Sequence, residues 1–408
     1  MRFAAPDEDD APVWARADAF PKAPQGWGWV DPKARLFPCE SRETLIEAIR
    51  ADRDAGVAMV WTPHHSHLIL PEELPEASAA VLTARRRRAT DMMAEAIDRL
   101  RWFGLMLGGL SLYILYQAWH LVPAHIPASG RAWFAAKALI TSPSIGITLL
   151  MFLIFAFIPW YQARKRIHEI MVSHPGEIGD LVPVLRFETW LEWQKAPVTR
   201  LILGLMVLVG IAQLLPGHSL EAAGLLKDRY HNGEWWRLFT APFLHGHPLH
   251  FVMNAAALLY LGRRIEVFAR WPHVPLVFLF AACIGGEASA RFLAAPSVGA
   301  SGGLMGWLGF LLVFESLHHR LVPRSSRRRL LAGVALTGLI GLVGYKFIDN
   351  AAHLGGLLAG MLYAAIVFPK STSPMRPRTT ITDRVAGSIA LTVLVLAALL
   401  AAFRSMAV

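Results

Sequence analysis

Three short stretches of this 408-residue chain carry polar side chains able to do chemistry inside apolar surroundings. In "SVGASGGLMG", Ser301 stands between Gly299 and Gly302. In "NAAHLGGLLAG", His353 is followed by Gly356 and Gly360. In "HGHPLHFVMNAAALLYLGRRIE", His250 and Asn254 are four residues apart. A serine hydroxyl is inert until a base within hydrogen-bond reach takes its proton, and an imidazole can be that base. An amide and an imidazole N–H on one helix face, joined by a backbone N–H, are donors that a developing oxyanion needs. The residue types therefore fit acyl transfer: Ser301 and His353 as a dyad, with His250, Asn254 and the backbone of Ser301 as oxyanion donors. Asp349 lies one turn before His353, in what reads as the preceding loop, so a dyad is expected rather than a triad.

Two other readings of these residues compete. "GASGG" satisfies the G-x-S-x-G elbow of soluble hydrolases, but that elbow needs a strand before it and a helix after it within a sheet. Here the flanks "ACIGGEASARFLAAPSV" and "LMGWLGFLLVFESL" both read as membrane helices. Taken alone, Gly302 with Gly306 and Gly356 with Gly360 read as stripes for close helix packing. A histidine among "AAHLGGLLAG" is costly in lipid without a partner or water, which shifts the balance towards a site.

The elements that must position these residues follow from hydropathy. The chain is 54% apolar with a mean hydropathy of +0.40, and about 20 apolar residues span a bilayer as a helix. Nine such runs occur, at 103–123, 140–160, 199–216, 249–268, 273–294, 300–317, 329–346, 350–369 and 385–403. Only helices satisfy their backbone in apolar runs of this length, so the chain reads as an all-α polytopic membrane protein. The net charge of +10 is concentrated in "RKR" (Arg164–Arg166), "RR" (Arg263–Arg264), "RSSRRR" (Arg324–Arg329) and "KSTSPMRPR" (Lys370–Arg378). If the nine helices alternate, all four clusters share one side, which the positive-inside rule assigns to the cytoplasm together with the N-terminus. The charge is then a topology signal, and no nucleic-acid partner is expected. Ser301, His353, His250 and Asn254 all fall near non-cytoplasmic helix ends, at one depth.

Residues 1–101 are of different character and read as a small soluble cytoplasmic domain of α/β type. "SRETLIEAIRADRDAG" is a helix pattern, with Ser41 as N-cap, Leu45, Ile46 and Ile49 on one face and Gly56 as a stop. "VAMVW" (Val57–Trp61) reads as a strand ended by Pro63. "HHSH" (His64, His65, His67) lacks ligand spacing from a second element, so it reads as a solvated loop and no metal is expected. "RRRR" (Arg85–Arg88) precedes the first span, with lipid headgroup contact or a topogenic role both open. Segment 161–198 reads as a cytoplasmic linker, with "FETWLEWQK" a candidate surface helix. Cys39 would be cytoplasmic and Cys283 within a membrane helix, so no disulfide is expected, and "MRFAAPDEDDAP" has no apolar core of a signal peptide. Glu287, flanked by apolar residues, is expected to pair with Arg291.

Residues 199–369 resemble the rhomboid intramembrane serine proteases. The matching pieces are "WWR" (Trp235–Arg237), His245, His250 and Asn254, "GRRIE" with Gly262 and Glu266, "GASG" with Gly299, Ser301 and Gly302, and "AHLGGLLAG" with His353, Gly356 and Gly360. The resemblance implies a six-helix core with two additional helices before it (102–160) and one after it (within 370–408). It implies a Ser301–His353 dyad in a cavity open to the non-cytoplasmic face, without cofactor. It also implies structural roles for Trp236, Arg237, His245 and Glu266. Expected partners are transmembrane protein substrates and the bilayer, and the expected location is a bacterial inner (plasma) membrane. The alternative is a catalytically silent relative that binds client helices. A solute transporter would need broken helices and paired charges at the membrane midplane, for which the core has no clear set.

Overall fold

The computed structural model describes residues 11–54, 56–122, 125–215, 218–345 and 348–407. Most of the N-terminal stretch read above as lacking a signal peptide, Met1–Asp10, lies outside them. The chain divides into two compact units: residues 17–186 with 339–347, and residues 1–16 with 187–338 and 348–408.

The first of these units opens with a three-stranded antiparallel sheet of order β2-β1-β3, from β1 (Trp27–Val30), β2 (Leu36–Cys39) and β3 (Met59–Trp61). The expected strand is β3; its two partners "WGWV" and "LFPC" carry Gly and Pro and gave no strand pattern. Gly28 is required in β1 because a Cβ there would collide with the Trp61 ring. Helix α1 (Arg42–Ala51) begins at the expected Ser41, whose hydroxyl accepts from the Thr44 N–H in a capping box. It ends at Ala51, five residues before Gly56, because the Asp52 carboxylate takes the Gly56 N–H at 2.9 Å. Leu45 and Ile49 are buried under the sheet.

Helix α2 (Ser78–Leu121) is 44 residues long and runs through the expected boundary at residue 101. Its "RRRR" is helical, and each arginine has a protein partner. Arg85 pairs with Glu72 at 2.6 Å and Arg88 with Asp52 at 3.7 Å. Arg86 donates to the Ser173 carbonyl at 2.9 Å, and Arg87 to that of Arg50. These guanidinium groups tie α2 to Arg50, Asp52 and Glu72 of the small domain and to Ser173. The second expected span is built from α4 (Pro143–Phe152), a π-turn at Leu153–Phe157 and α5 (Ile158–Val172), after a shorter α3 (Ala128–Thr141). The expected polar linker is largely helical: a 3₁₀ turn at Pro175–Leu181 leads into α6 (Val182–Trp193), which takes in "FETWLEW" and ends before Gln194 and Lys195.

The second unit holds the remaining helices. These are α7 (Pro197–Ala212), the short α8 (Ser219–Ala223), α9 (Lys227–His231) and α10 (Arg237–Thr240), then α11 (Pro248–Phe268), α12 (His273–Phe292), α13 (Ser301–Leu317), α14 (Arg324–Val343), α15 (Asn350–Val367) and α16 (Ile381–Met406). A helix therefore lies at every one of the nine expected places. Among the described residues, four meet a length and hydropathy test for a span: Ser144–Val172, His273–Phe292, Asn350–Val367 and Ile381–Met406. Helices α6 and α7 pass only as a pair bent by 61°. The others fall short for identifiable reasons: α13 has 17 residues, α11 carries His250, Asn254, Arg263, Arg264 and Glu266, and α14 opens on arginines. Large apolar side chains such as Leu214, Val252, Ile366 and Phe403 are exposed along these helices, as lipid-facing surface requires. The molecule is a polytopic helical membrane protein with a small N-terminal sheet domain.

Helices α12, α13 and α15 pack most closely, and α16 lies against α7 and α12. Glycine makes this approach possible. A Cβ on Gly356 would strike the Gly302 carbonyl, and one on Gly360 the Gly306 carbonyl, so α13 and α15 touch backbone to backbone. At the basic end, Arg264 is fully buried. It donates to Ser326 Oγ at 2.5 Å and to Glu188 at 3.2 Å, and faces Glu315 at 3.5 Å, tying α6, α11, α13 and α14 together. Trp14 in the N-terminal segment donates to the Leu321 carbonyl at 2.8 Å and meets Phe187 edge to face.

Candidate active site

Ser301 is the first residue of α13, following Ala300, so its backbone N–H belongs to the helix-initial donors that have no intrahelical partner. The loop that delivers it is fixed by backbone hydrogen bonds. Ser297 and Leu225 exchange N–H···O bonds of 3.0 and 3.1 Å, and the Gly299 N–H donates to the Ala241 carbonyl at 3.0 Å. Gly299 has φ +119°, in the region that favours glycine. A Cβ there would also lie 2.6 Å from His250 Cε1 and 3.4 Å from Asn254 Nδ2. The bend before Ser301 thus sits directly against both side chains expected to serve as oxyanion donors.

Helix α11 presents these two side chains one turn apart. Asn254 is buried, and its Nδ2 has no hydrogen-bond partner among the described residues. His245, in the loop before α11, packs edge-on to His250 with ring centroids 5.1 Å apart and to Phe251 at 5.2 Å. Burial pushes the His245 imidazole down to about 4, so it is neutral at physiological pH and adds no charge beside His250.

His353 lies in the first turn of α15, and Nδ1 of its ring is buried without a hydrogen-bond partner among the described residues. The register of α13 against α15 is set by the glycines next to the two candidates. A Cβ on Gly302 would be 3.6 Å from the Ala352 carbonyl, so the residue after Ser301 touches the residue before His353. The structure therefore brings Ser301, His353, His250 and Asn254 to one end of the α11–α13–α15 cluster.

Asp349 is the N-cap of α15 rather than part of a free loop. Its Oδ1 accepts from the Ala352 N–H at 2.8 Å, and its Oδ2 accepts from Ser289 and Ser297. The carboxylate is engaged by the cap and two hydroxyls, not by the imidazole. Behind it Lys227 donates to Ser289 Oγ at 2.6 Å, with both residues buried. Lys227, Ser289, Ser297 and Asp349 form a polar chain from the start of α9 to the start of the His353 helix, and sequence reasoning missed it. Ser289 stands four residues after Gly285, whose added Cβ would be 2.6 Å from the Ala352 carbonyl, so both share the α12 face against α15.

The other expected residues occupy framework positions. Arg237 is buried and donates to Glu234 at 2.6 Å and to the carbonyls of Gly224 and Glu221 at 2.7 and 3.0 Å. Its guanidinium stacks over Trp236 at 4.6 Å, pinning the loop of α8, α9 and α10. Glu266 accepts from the Val198 and Thr199 N–H groups at 3.0 and 2.9 Å and from the Thr199 hydroxyl at 2.8 Å, capping α7. Glu287 pairs with Arg291 at 2.6 Å and accepts from Tyr230 at 2.5 Å. Among the described residues no cluster of three or more His, Cys, Asp or Glu is placed to hold a metal, and His65 instead hydrogen-bonds Thr62 at 2.7 Å.

Residues 232–370 match the Rhomboid domain. The chain therefore carries a rhomboid domain at these residues. Its rhomboid domain is similar to that of RHOMBOID-like protein 6, mitochondrial, from Arabidopsis thaliana, with 35% identity over 161 residues, or 38% of this chain and 52% of that protein. It is also similar to Rhomboid protease GluP from Bacillus subtilis (strain 168), with 33% identity over 144 residues, or 34% of this chain and 27% of that protein. The matched stretch thus spans about half the length of the first relative and about a quarter of the second. The small sheet domain and helices α2–α5 precede the rhomboid domain.

Proposed function

We propose that this rhomboid-domain chain is an intramembrane serine endopeptidase that cuts transmembrane segments near the outer membrane boundary. The observation that carries the reading is the convergence at Gly299–Gly302: the Ser301 N-terminus of α13 lies against His250 and Asn254 on one side and the His353 turn of α15 on the other. In this mechanism His353 takes the Ser301 Oγ proton as the oxygen attacks the scissile carbonyl. The resulting oxyanion is held by the Ser301 N–H, the Asn254 amide and His250. His353 then protonates the leaving amine, and water, deprotonated by the same imidazole, hydrolyses the acyl-enzyme. A peptide carbonyl inside an intact helix is shielded by its own hydrogen bonds. The substrate class is therefore single-span proteins whose helix unwinds readily at the membrane boundary.

We read residues 199–369 as the catalytic core, 1–101 as a cytoplasmic domain, 102–160 as a leading helix pair, 161–198 as a linker and 370–408 as a linker with a trailing helix. The basic clusters of Arg263–Arg264, Arg324–Arg329 and Lys370 occupy helix ends opposite Ser301, which supports a site opening to the non-cytoplasmic side of a bacterial inner membrane. Cleavage of a single-span reporter with a Gly/Ala/Ser-rich outer boundary tests the reading in proteoliposomes. The wild-type protein is expected to give one cut located by mass spectrometry, and Ser301→Ala and His353→Ala none. Unchanged cleavage by Ser301→Ala would sink the proposal.

A further inference from the structure

A groove of about 540 Å³ opens between α13, α14 and α15, at the ends of α13 and α14 opposite Ser301. Its wall is apolar, with Leu312, Val313, Leu317, Leu331 and Met361 contributing. Its rim carries Arg324, Arg327 and Arg328. The neighbouring basic residues are already spent: Arg329 pairs with Glu188 at 2.7 Å, and Arg264 is held by Glu188, Ser326 and Glu315. Among the described residues, Arg324, Arg327 and Arg328 make no hydrogen bond or ion pair, and Arg327 Nε is buried without a partner. On this turn of α14, Arg329 is turned to Glu188 of α6, whereas Arg324, Arg327 and Arg328 line the groove without an ion pair, Arg327 feeling the buried Glu315 only at a distance.

We propose that this groove is a binding site for one anionic phospholipid, with the phosphate held by Arg324, Arg327 and Arg328 and an acyl chain along Leu312, Val313, Leu331 and Met361. An unpaired guanidinium cluster at the depth of the headgroups calls for an anion, and planar guanidinium donors match phosphate oxygens. The apolar wall continuing from it towards the bilayer interior fits the chain attached to that anion, which a free phosphate lacks. The leaflet next to the basic helix ends is the one where anionic lipids concentrate. Because the groove lies at the far ends of α13 and α14, the site does not depend on whether Ser301 is a nucleophile.

The test uses the full chain purified in neutral detergent, with phosphatidylglycerol, phosphatidylcholine and inorganic phosphate as probes in thermal melts and native mass spectrometry. Phosphatidylglycerol is expected to raise the melting temperature and stay bound as a single copy, with retention falling as salt is added. In Arg324→Gln/Arg327→Gln/Arg328→Gln, retention should be about a hundredfold weaker, at about a factor of five for each arginine. Leu331→Trp, which fills the groove and leaves the arginines in place, should lose the single bound copy too, and serves alone if the triple variant fails to fold. Equal stabilisation by phosphatidylcholine, the same effect from inorganic phosphate, or undiminished retention in the variants would overturn the proposal.

Discussion

At Asn254 a buried amide nitrogen carries no hydrogen bond among the described residues, and it stands against the backbone bend that introduces Ser301. Leaving such a donor unmet costs about 1–3 kcal/mol, so its retention needs a compensating use, and an oxyanion present only during reaction is one. Asn254→Ala should therefore lower kcat about 10²-fold with KM little changed, because the interaction is made in the transition state. Steady-state cleavage of the reporter checks this, and a loss confined to KM would assign Asn254 to substrate binding instead. The polar pattern of the sequence already isolated Ser301, His353, His250 and Asn254, since such side chains are rare in lipid-facing runs. It did not isolate Lys227, Ser289 or Ser297, because a lysine in a polar loop and a serine among small residues are unremarkable until folding buries them together. Asp349 was visible, but only the cap geometry tells that its carboxylate serves the helix end and two hydroxyls.

Between elements, the decisive contact is the backbone approach of α13 and α15. Gly356→Val would drive a branched side chain into the Gly302 carbonyl, at a cost of about 3 kcal/mol or more. Its melting temperature should fall and cleavage should vanish. Gly204→Ala in α7, with no neighbour within 4 Å of the added Cβ, should leave both unchanged. The Lys227 chain gives a pH signature. Burial pushes its ammonium down to about 8 from the ordinary 10.5, with Asp349 pulling the other way. Between those values the unfolded chain holds more protons, so the cost of burying the cation, fully present below pH 8, is relieved as pH rises. The Lys227→Met protein should lack this upward component in melts from pH 7.5 to 10, and an identical pH slope in both proteins would contradict it. Helix positions were legible from hydropathy because each run is long. Helix ends were not: α2 extends 25 residues upstream through "RRRR", where Arg85 and Arg88 pair with Glu72 and Asp52 and Arg86 and Arg87 donate to carbonyls, partners that no local pattern encodes.

For the whole molecule, the proposed topology rests on the separation of the polar cluster around Ser301 from the basic helix ends. Arg291 and Arg320 are both exposed and lie towards opposite ends of the core. With Cys39 and Cys283 replaced by serine, Arg291→Cys should react with an impermeant maleimide from the non-cytoplasmic side and Arg320→Cys from the cytoplasmic side. The reverse pattern would invert the orientation. Two of the three strands of the N-terminal domain escaped the sequence reading, since their Trp, Gly and Pro content hides a period of two that the sheet alone reveals. Fluorophosphonate labelling of the purified protein reads out whether the serine at the start of α13 is activated, since such a probe reacts with a serine whose base is in place. One labelled site is expected, at Ser301, abolished by Ser301→Ala and by His353→Ala in proteins that still melt cooperatively. A folded wild-type protein that takes no label, or label that survives Ser301→Ala, would contradict it.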